Sequence, residues 1–356
     1  MNPAWTWLVP AAALGLLAAA FTVGAGPAVA ALAGVALVGA VIAAVHHAEV
    51  VAHRVGEPYG TLVLALAVTV IEASLILSMM LGGGPGTQTL ARDTLYAAIM
   101  IICNGVVGLC ILVGGIRHRE QVFRVEGAHA GYAALVAMAG LTLVLPVFTV
   151  TTPSGTYSAS QLAFAAIASL SLWAVYVFVQ TVRHRDYFLP EEAAHDESAH
   201  AAPPTNATAW ASFGLLFASL VGVVGLAKVL SPSIERAVAA AGAPRAVIGI
   251  VIALIVLLPE TWAAVRAARA NRLQTSMNLA IGSALASIGL TVPVVALAAI
   301  ALGKPLVLGL DPKDLAMLAL TFLVGTISLG TGRTHLMQGA VLLVIFAAYL
   351  FLALVP

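Results

Sequence analysis

Residues 64–81 read LALAVTVIEASLILSMML, and residues 247–265 read VIGIVIALIVLLPETWAAV. Both are apolar runs close to the roughly 20 residues that a helix needs to cross the hydrocarbon core of a bilayer. Each carries one carboxylate near its middle, Glu72 in the first and Glu260 in the second. A carboxylate in hydrocarbon is costly unless it is protonated, paired or bound to a cation. No other charged side chain lies so deep within a long apolar segment, so these two are the primary candidates for function.

The rest of the chain has the same character. Of 356 residues, 61% are hydrophobic and 9% are charged, against about 25% charged in soluble domains, and the mean hydropathy is +1.04. This composition predicts an all-α polytopic membrane protein. A net charge of +1 supplies no basic field and excludes a nucleic-acid partner; the expected partners are membrane lipid and small ions. Apolar stretches of spanning length fall at about 5–23, 27–50, 60–82, 92–115, 127–150, 158–182, 209–230, 244–267, 273–301, 313–331 and 334–354, predicting eleven transmembrane helices. The first lacks a basic leader and reads as a retained helix rather than a signal peptide. Cys103 and Cys110 lie two helical turns apart, roughly 10 Å along the axis, too far for a disulfide.

One connector differs from the others. Residues 183–208, RHRDYFLPEEAAHDESAHAAPPTNAT, gather acids, histidines and prolines and read as a solvated, mobile hinge. Asn206-Ala207-Thr208 matches a glycosylation pattern there by chance. The division that follows is a peripheral first helix at 1–26, a five-helix repeat at 27–182, the acidic, His-containing cytoplasmic hinge at 183–208, and a second five-helix repeat at 209–356. Five is odd, so the two repeats enter the membrane in opposite directions. Each has its glutamate in its second span, and inverted repeats place substrate sites near the bilayer midplane. Counting Lys and Arg in the connectors gives ten on the side of the N-terminus and six on the other. The positive-inside rule then puts the N-terminus in the cytoplasm and the C-terminus outside, in a bacterial inner membrane.

Two carboxylates can each hold a proton, or together neutralise a divalent cation; leaving both ionised and empty is disfavoured in low dielectric. Calcium takes six to eight oxygens, and two glutamates give at most four. Candidate co-ligands are Asn104, Ser283, Ser287, Thr69 and Thr261, with backbone carbonyls and water. Pro259 breaks one helical hydrogen bond and would displace the Ile255 carbonyl beside Glu260. Ser283 and Ser287 share a helix face; the plainer alternative is that they pack and bond back to their own helix. His46 and His47 are candidates for pH sensing or for the access path, since histidine titrates near cytoplasmic pH; inert interfacial histidines are the alternative. Glu57, in GEPYG at the mouth of the Glu72 helix, is a candidate access group, whereas Glu49 reads as a solvated boundary residue.

GEPYGTLVLALAVTVIEASLI, RDTLYAAIMIICNGVVG, LLPETWAAVRAARANRLQTSMNLAIGSALASIGLTVPVV and SLGTGRTHLMQGAVLLVIFAAYL together resemble the bacterial ChaA-type antiporters of the cation/calcium exchanger superfamily. The resemblance covers nearly the whole chain from about residue 45. It implies eleven helices with a peripheral first helix, two inverted five-helix repeats, an acidic hinge and proton-driven cation efflux, with the essential acids on Glu72 and Glu260. It places the polar helix of one repeat around Asn104 and that of the other over Asn278 to Pro293. Many relatives carry Gly-Asn a few residues before each glutamate, where this chain has VTVIE and VLLPE. The expected function is a secondary active calcium/proton antiporter that exports cytoplasmic Ca2+ by alternating access at a two-glutamate site, with no cofactor. Sodium or potassium/proton exchange on the same scaffold is the alternative. A cation channel fits inverted repeats less well. An intramembrane enzyme lacks its motifs: HHAEVVAH is not HExxH, and neither GxSxG nor a Walker A loop occurs.

Overall fold

A computed structural model describes residues 4–23, 26–56, 59–82, 86–189 and 204–355. Eleven helical spans account for most of them. They are α1 (Trp5–Val23), α2 (Pro27–Val55), α3 (Tyr59–Gly82), α4 (Leu90–His118), α5 (Val125–Val147) and α6 (Ala159–Arg183). After the long connector come α7 (Asn206–Ala240), α8 (Ala246–Arg269), α9 (Leu273–Leu302), α10 (Pro312–Leu329) and α11 (Leu336–Leu354). All eleven expected spans are present, which makes the chain an all-α polytopic membrane protein with a first helix outside two five-helix sets. Two three-residue strands, β1 (Glu120–Val122) and β2 (Arg333–His335), pair antiparallel.

Local signals set the helix ends. Pro27 occupies the first turn of α2, where its missing N–H costs nothing, and Gly56 closes the helix at φ +78 with its N–H bonded to Ala52 O. Ser158 and Gln161 form a reciprocal capping box on α6, and Thr205 caps α7 by accepting from Thr208 N. α7 continues past residue 230, where the sequence reading ended the span, through Pro232 to Ala240. Pairs one turn apart support that extension: the Ser231 hydroxyl donates to Glu235, and Arg236 Nε donates to the Pro232 carbonyl at 3.0 Å.

The helices gather into two compact units, Met1–Leu90 with Ala201–Val256, and Ala91–His200 with Leu257–Pro356. Each draws on both five-helix sets, so grouping by contact differs from grouping by sequence repeat. In the first unit, α2 shows Ala33, Leu37, Ala40, Ala44 and Ala48 on one buried face. That stripe of small residues lets α7 approach through Leu216, Val223, Leu226 and Leu230. α1 buries Thr6, Ala13 and Ala20 but leaves Trp7, Leu8 and Phe21 exposed. Its placement is peripheral, with Leu17 against Gly225 of α7, where an added Cβ would make the Leu17 side chain shift.

In the second unit α9 is the central element, buried from Ala284 to Val292 without interruption. α5 and α6 pack on it, and α4 packs on α11. The connector after α6 does not begin as free chain: Arg185–Phe188 form one 3-10 turn and Phe188 is buried. Asn278 Nδ2 donates to Phe188 O at 2.6 Å, and Gln274 bridges Asn278 Oδ1 and Arg124 N. The acidic, histidine-bearing stretch 190–203 lies outside the described residues.

Candidate cation and proton site

In the first unit Glu72 occupies the middle of α3 and is 2% exposed. Ile71, Leu75 and Met79 of α3 pack into the apolar cluster formed with α2 and α7. Thr69, one turn earlier and on the same face, is 5% exposed, and its hydroxyl is sealed from solvent. The helix therefore holds a carboxyl and a hydroxyl where water does not reach, the setting in which a carboxyl exchanges its charge for a proton or a cation.

In the second unit Glu260 lines a small cleft with Leu257 and Thr261 of α8, Ile102 and Val106 of α4, and Ala280 and Ser283 of α9. Four of the seven lining residues are aliphatic, so Glu260, Thr261 and Ser283 are its polar side chains. The Thr261 hydroxyl donates to Leu257 O at 2.7 Å, which leaves its oxygen able to accept or to ligate. Pro259, one residue before Glu260, lies inside a helix that continues through it. Having no N–H, it cannot bond to Ile255 O. One carboxylate and two hydroxyls are a donor set that can take a cation, or a proton with water. Among the described residues no group of three or more His, Cys, Asp or Glu side chains could hold a metal. Within the cleft, the further oxygens open to a cation at Glu260 are those of Thr261, Ser283, the backbone and water.

Ser276 and Gln121 fix the frame of this cleft. Ser276 Oγ donates to Ala264 O at 2.9 Å, tying the start of α9 to α8, and Gln121 Nε2 donates to Ala268 O at 2.9 Å.

The remaining candidates fall in several places. Asn104 is fully buried in α4, inside a π-helical segment (Ile101–Val106). Its neighbours Ile102 and Val106 line the cleft, whereas the Asn104 amide donates to Thr321 Oγ1 of α10 at 2.9 Å. Ser287 is buried on α9 at 4% exposure but does not line the cleft with Ser283. His47 is wholly buried on α2, its Nε2 2.9 Å from Thr6 O of α1, and His46 packs its ring against Trp5. Glu49 is exposed. Glu57 lies outside the described residues. Asn206, in the glycosylation pattern, accepts from Arg54 Nε at 2.8 Å.

Sequence reading missed Thr321, Tyr132 and the apolar wall at Ile102 and Val106. A threonine amid LAMLALTFLVG gives a faint signal, since a hydroxyl in a spanning helix needs a partner. Aliphatic lining residues give none.

The sodium/calcium exchanger protein family matches residues 25–182 and 211–355, and the chain belongs to that family. It is 48% identical to a putative ionic transporter, y4hA, of Sinorhizobium fredii over 99% of this chain and 97% of that protein. It is 35% identical to the sodium-potassium/proton antiporter ChaA of Escherichia coli over 90% of this chain and 87% of that one. Identity to the Ca2+/H+ antiporter ChaA of Bacillus subtilis is 28%, over 70% of each chain. The solved structure of native YfkE shares the fold, with a TM-score of 0.74 and 18% identity over 99% of this chain and 100% of that one.

Proposed function

We propose that this protein is a secondary active antiporter in a bacterial inner membrane, exporting cytoplasmic Ca2+ in exchange for protons by alternating access. The observation that carries the reading is a glutamate within a spanning helix of each half: Glu72 at 2% exposure on α3, and Glu260, half-buried, in the cleft of α4, α8 and α9. Protons arriving from outside neutralise the two carboxyls. Once the protein has reoriented, cytoplasmic cation displaces the protons and leaves on the outer side. Neutral occupancy is the condition for reorientation, because uncompensated carboxylates are costly in low dielectric, and that condition makes exchange obligatory. The N-terminus is cytoplasmic and the C-terminus outside, on the lysine and arginine count.

A second reading exchanges Na+ or K+ for protons. It is supported by the higher identity to the sodium-potassium/proton antiporter, 35% against 28% for the calcium/proton antiporter. Charge balance separates the two. Ca2+ satisfies both carboxylates, whereas a monovalent ion satisfies one and leaves the other protonated. Purified protein in sealed vesicles, loaded with a pH dye and given each cation in turn, decides the matter. A proton counterflux driven by Ca2+ supports the first reading, and one driven by Na+ or K+ alone supports the second. Cation flux indifferent to a pH gradient refutes antiport.

A further inference from the structure

Asn104 is 0% exposed in the π-helical segment of α4, and its two amide ends meet different surroundings. Nδ2 donates to Thr321 Oγ1 at 2.9 Å and also faces Met100 Sδ at 3.8 Å. Oδ1 is sealed from solvent and accepts no hydrogen bond among the described residues. Thr321, itself 0% exposed, donates its hydroxyl to Met100 Sδ at 3.4 Å, and its carbonyl accepts from the Tyr132 hydroxyl at 3.0 Å. Tyr132 reaches that carbonyl because residue 325 is glycine; a Cβ there would overlap the Tyr132 hydroxyl.

We propose that Thr321, seated by Tyr132 and Met100, is a positioning residue that fixes the orientation of the Asn104 amide, so that its carbonyl oxygen is the end offered to the transported cation. The proposal rests on the reading of Asn104 as a cation ligand. A buried amide has two orientations related by a half-turn about its terminal bond, and only one binds a cation, because the carbonyl attracts it and the N–H groups repel it. In the orientation present, both N–H groups have acceptors, Thr321 Oγ1 and Met100 Sδ. The reversed orientation loses both. Thr321 acts as an acceptor because its single proton is directed at the Met100 sulfur, leaving its lone pairs for Asn104. The outcome is an amide oxygen held in a dry site without a protein donor, beside the residues that wall the Glu260 cleft. A buried polar atom with no protein partner calls for an explanation, and a bound ion is one.

The test is exchange by the full-length protein in sealed vesicles, with Ca2+ and Na+ each as transported cation and KM and maximal rate measured separately. Thr321→Val keeps the shape and removes the acceptor. It should raise the cation KM about fivefold to tenfold, the effect of one hydrogen bond, with the maximal rate changed less than about twofold. Thr321→Ser should restore the native KM, which a purely packing role would not predict. Met100→Leu frees the threonine proton to turn toward Asn104 and should raise KM in the same direction. If the valine form is poorly produced, Thr321→Ala carries the same expectation. A native KM in Thr321→Val, alongside a raised KM in Asn104→Ala, overturns the positioning role and leaves Asn104 a ligand. A native KM in Asn104→Ala overturns the ligand reading itself. Loss of folded protein in every Thr321 variant, with native KM in Met100→Leu, also overturns the proposal.

Discussion

Replacing Glu260 by glutamine separates the chemistry of the carboxylate from its packing. The two side chains have nearly the same volume, so the cleft walled by Ile102, Val106, Leu257 and Ala280 keeps its shape. What is lost is one negative charge and one titratable proton. At about 4 Å separation and an effective dielectric of about 20, a pair of unit charges interacts by about 4 kcal/mol. A factor of ten in affinity is about 1.4 kcal/mol, so cation affinity should fall roughly a thousandfold, and more for a divalent ion. Thr261 and Ser283 are neutral and cannot replace the charge. A neutral amide is also cheaper to bury than a carboxylate, so thermal stability in detergent should be unchanged or slightly raised. The assay is proton counterflux in sealed vesicles across a range of cation concentrations, paired with a thermal unfolding scan of the same preparation. Exchange within about threefold of native would refute the assignment, since a difference of about 0.7 kcal/mol is far below the effect of a lost charge. Lost exchange together with a strongly lowered unfolding midpoint would refute it too, by showing Glu260 to be a packing residue.

Three further outcomes follow from specific contacts. Glu72→Gln should abolish exchange with little loss of folded protein, because Glu72 is 2% exposed and its charge is only tolerable when compensated; near-native exchange would remove it from the mechanism. Gly325→Ala should destabilise the protein by about 1–3 kcal/mol, since the new Cβ overlaps the Tyr132 hydroxyl. Adding Tyr132→Phe should recover part of that loss, a non-additivity read from the unfolding midpoints of the single and double variants. Replacing His46 and His47 by glutamine should shift the pH–activity profile and loosen the α1 contact made through Thr6 O at 2.9 Å; an unmoved profile would leave His47 a structural tie alone.

Much of the fold was legible because its signals are local. A bilayer demands apolar runs of fixed length, and all eleven runs form helices near the expected bounds. The main difference in length, the extension of α7 to Ala240, comes from polar pairs one turn apart that keep a helix going beyond the apolar core. Glu72 and Glu260 were legible for a related reason, since a charge in an apolar run is visible without any knowledge of packing. Asn104 was legible as a buried polar group but not in its contacts. Its partner is Thr321, 217 positions along the chain, and no pattern in sequence links them. The start of the acidic connector read as solvated from composition, yet Phe188 is buried, with Asn278 bonded to its carbonyl and Gln274 to that of Tyr187.

Sequence alone determined the membrane, the number of spans, the odd-numbered halves and the two carboxylates, because all of these depend on the transfer of side chains out of water one segment at a time. Only the tertiary structure decided which neighbours each carboxylate has. It gave Glu260 two hydroxyls and four aliphatic walls, turned Asn104 toward Thr321, and tied His47 to the backbone of α1. Those are distance-dependent interactions between segments remote in sequence. They exist only once helix faces have been chosen by close packing, and periodicity within one helix does not name the helix across from it.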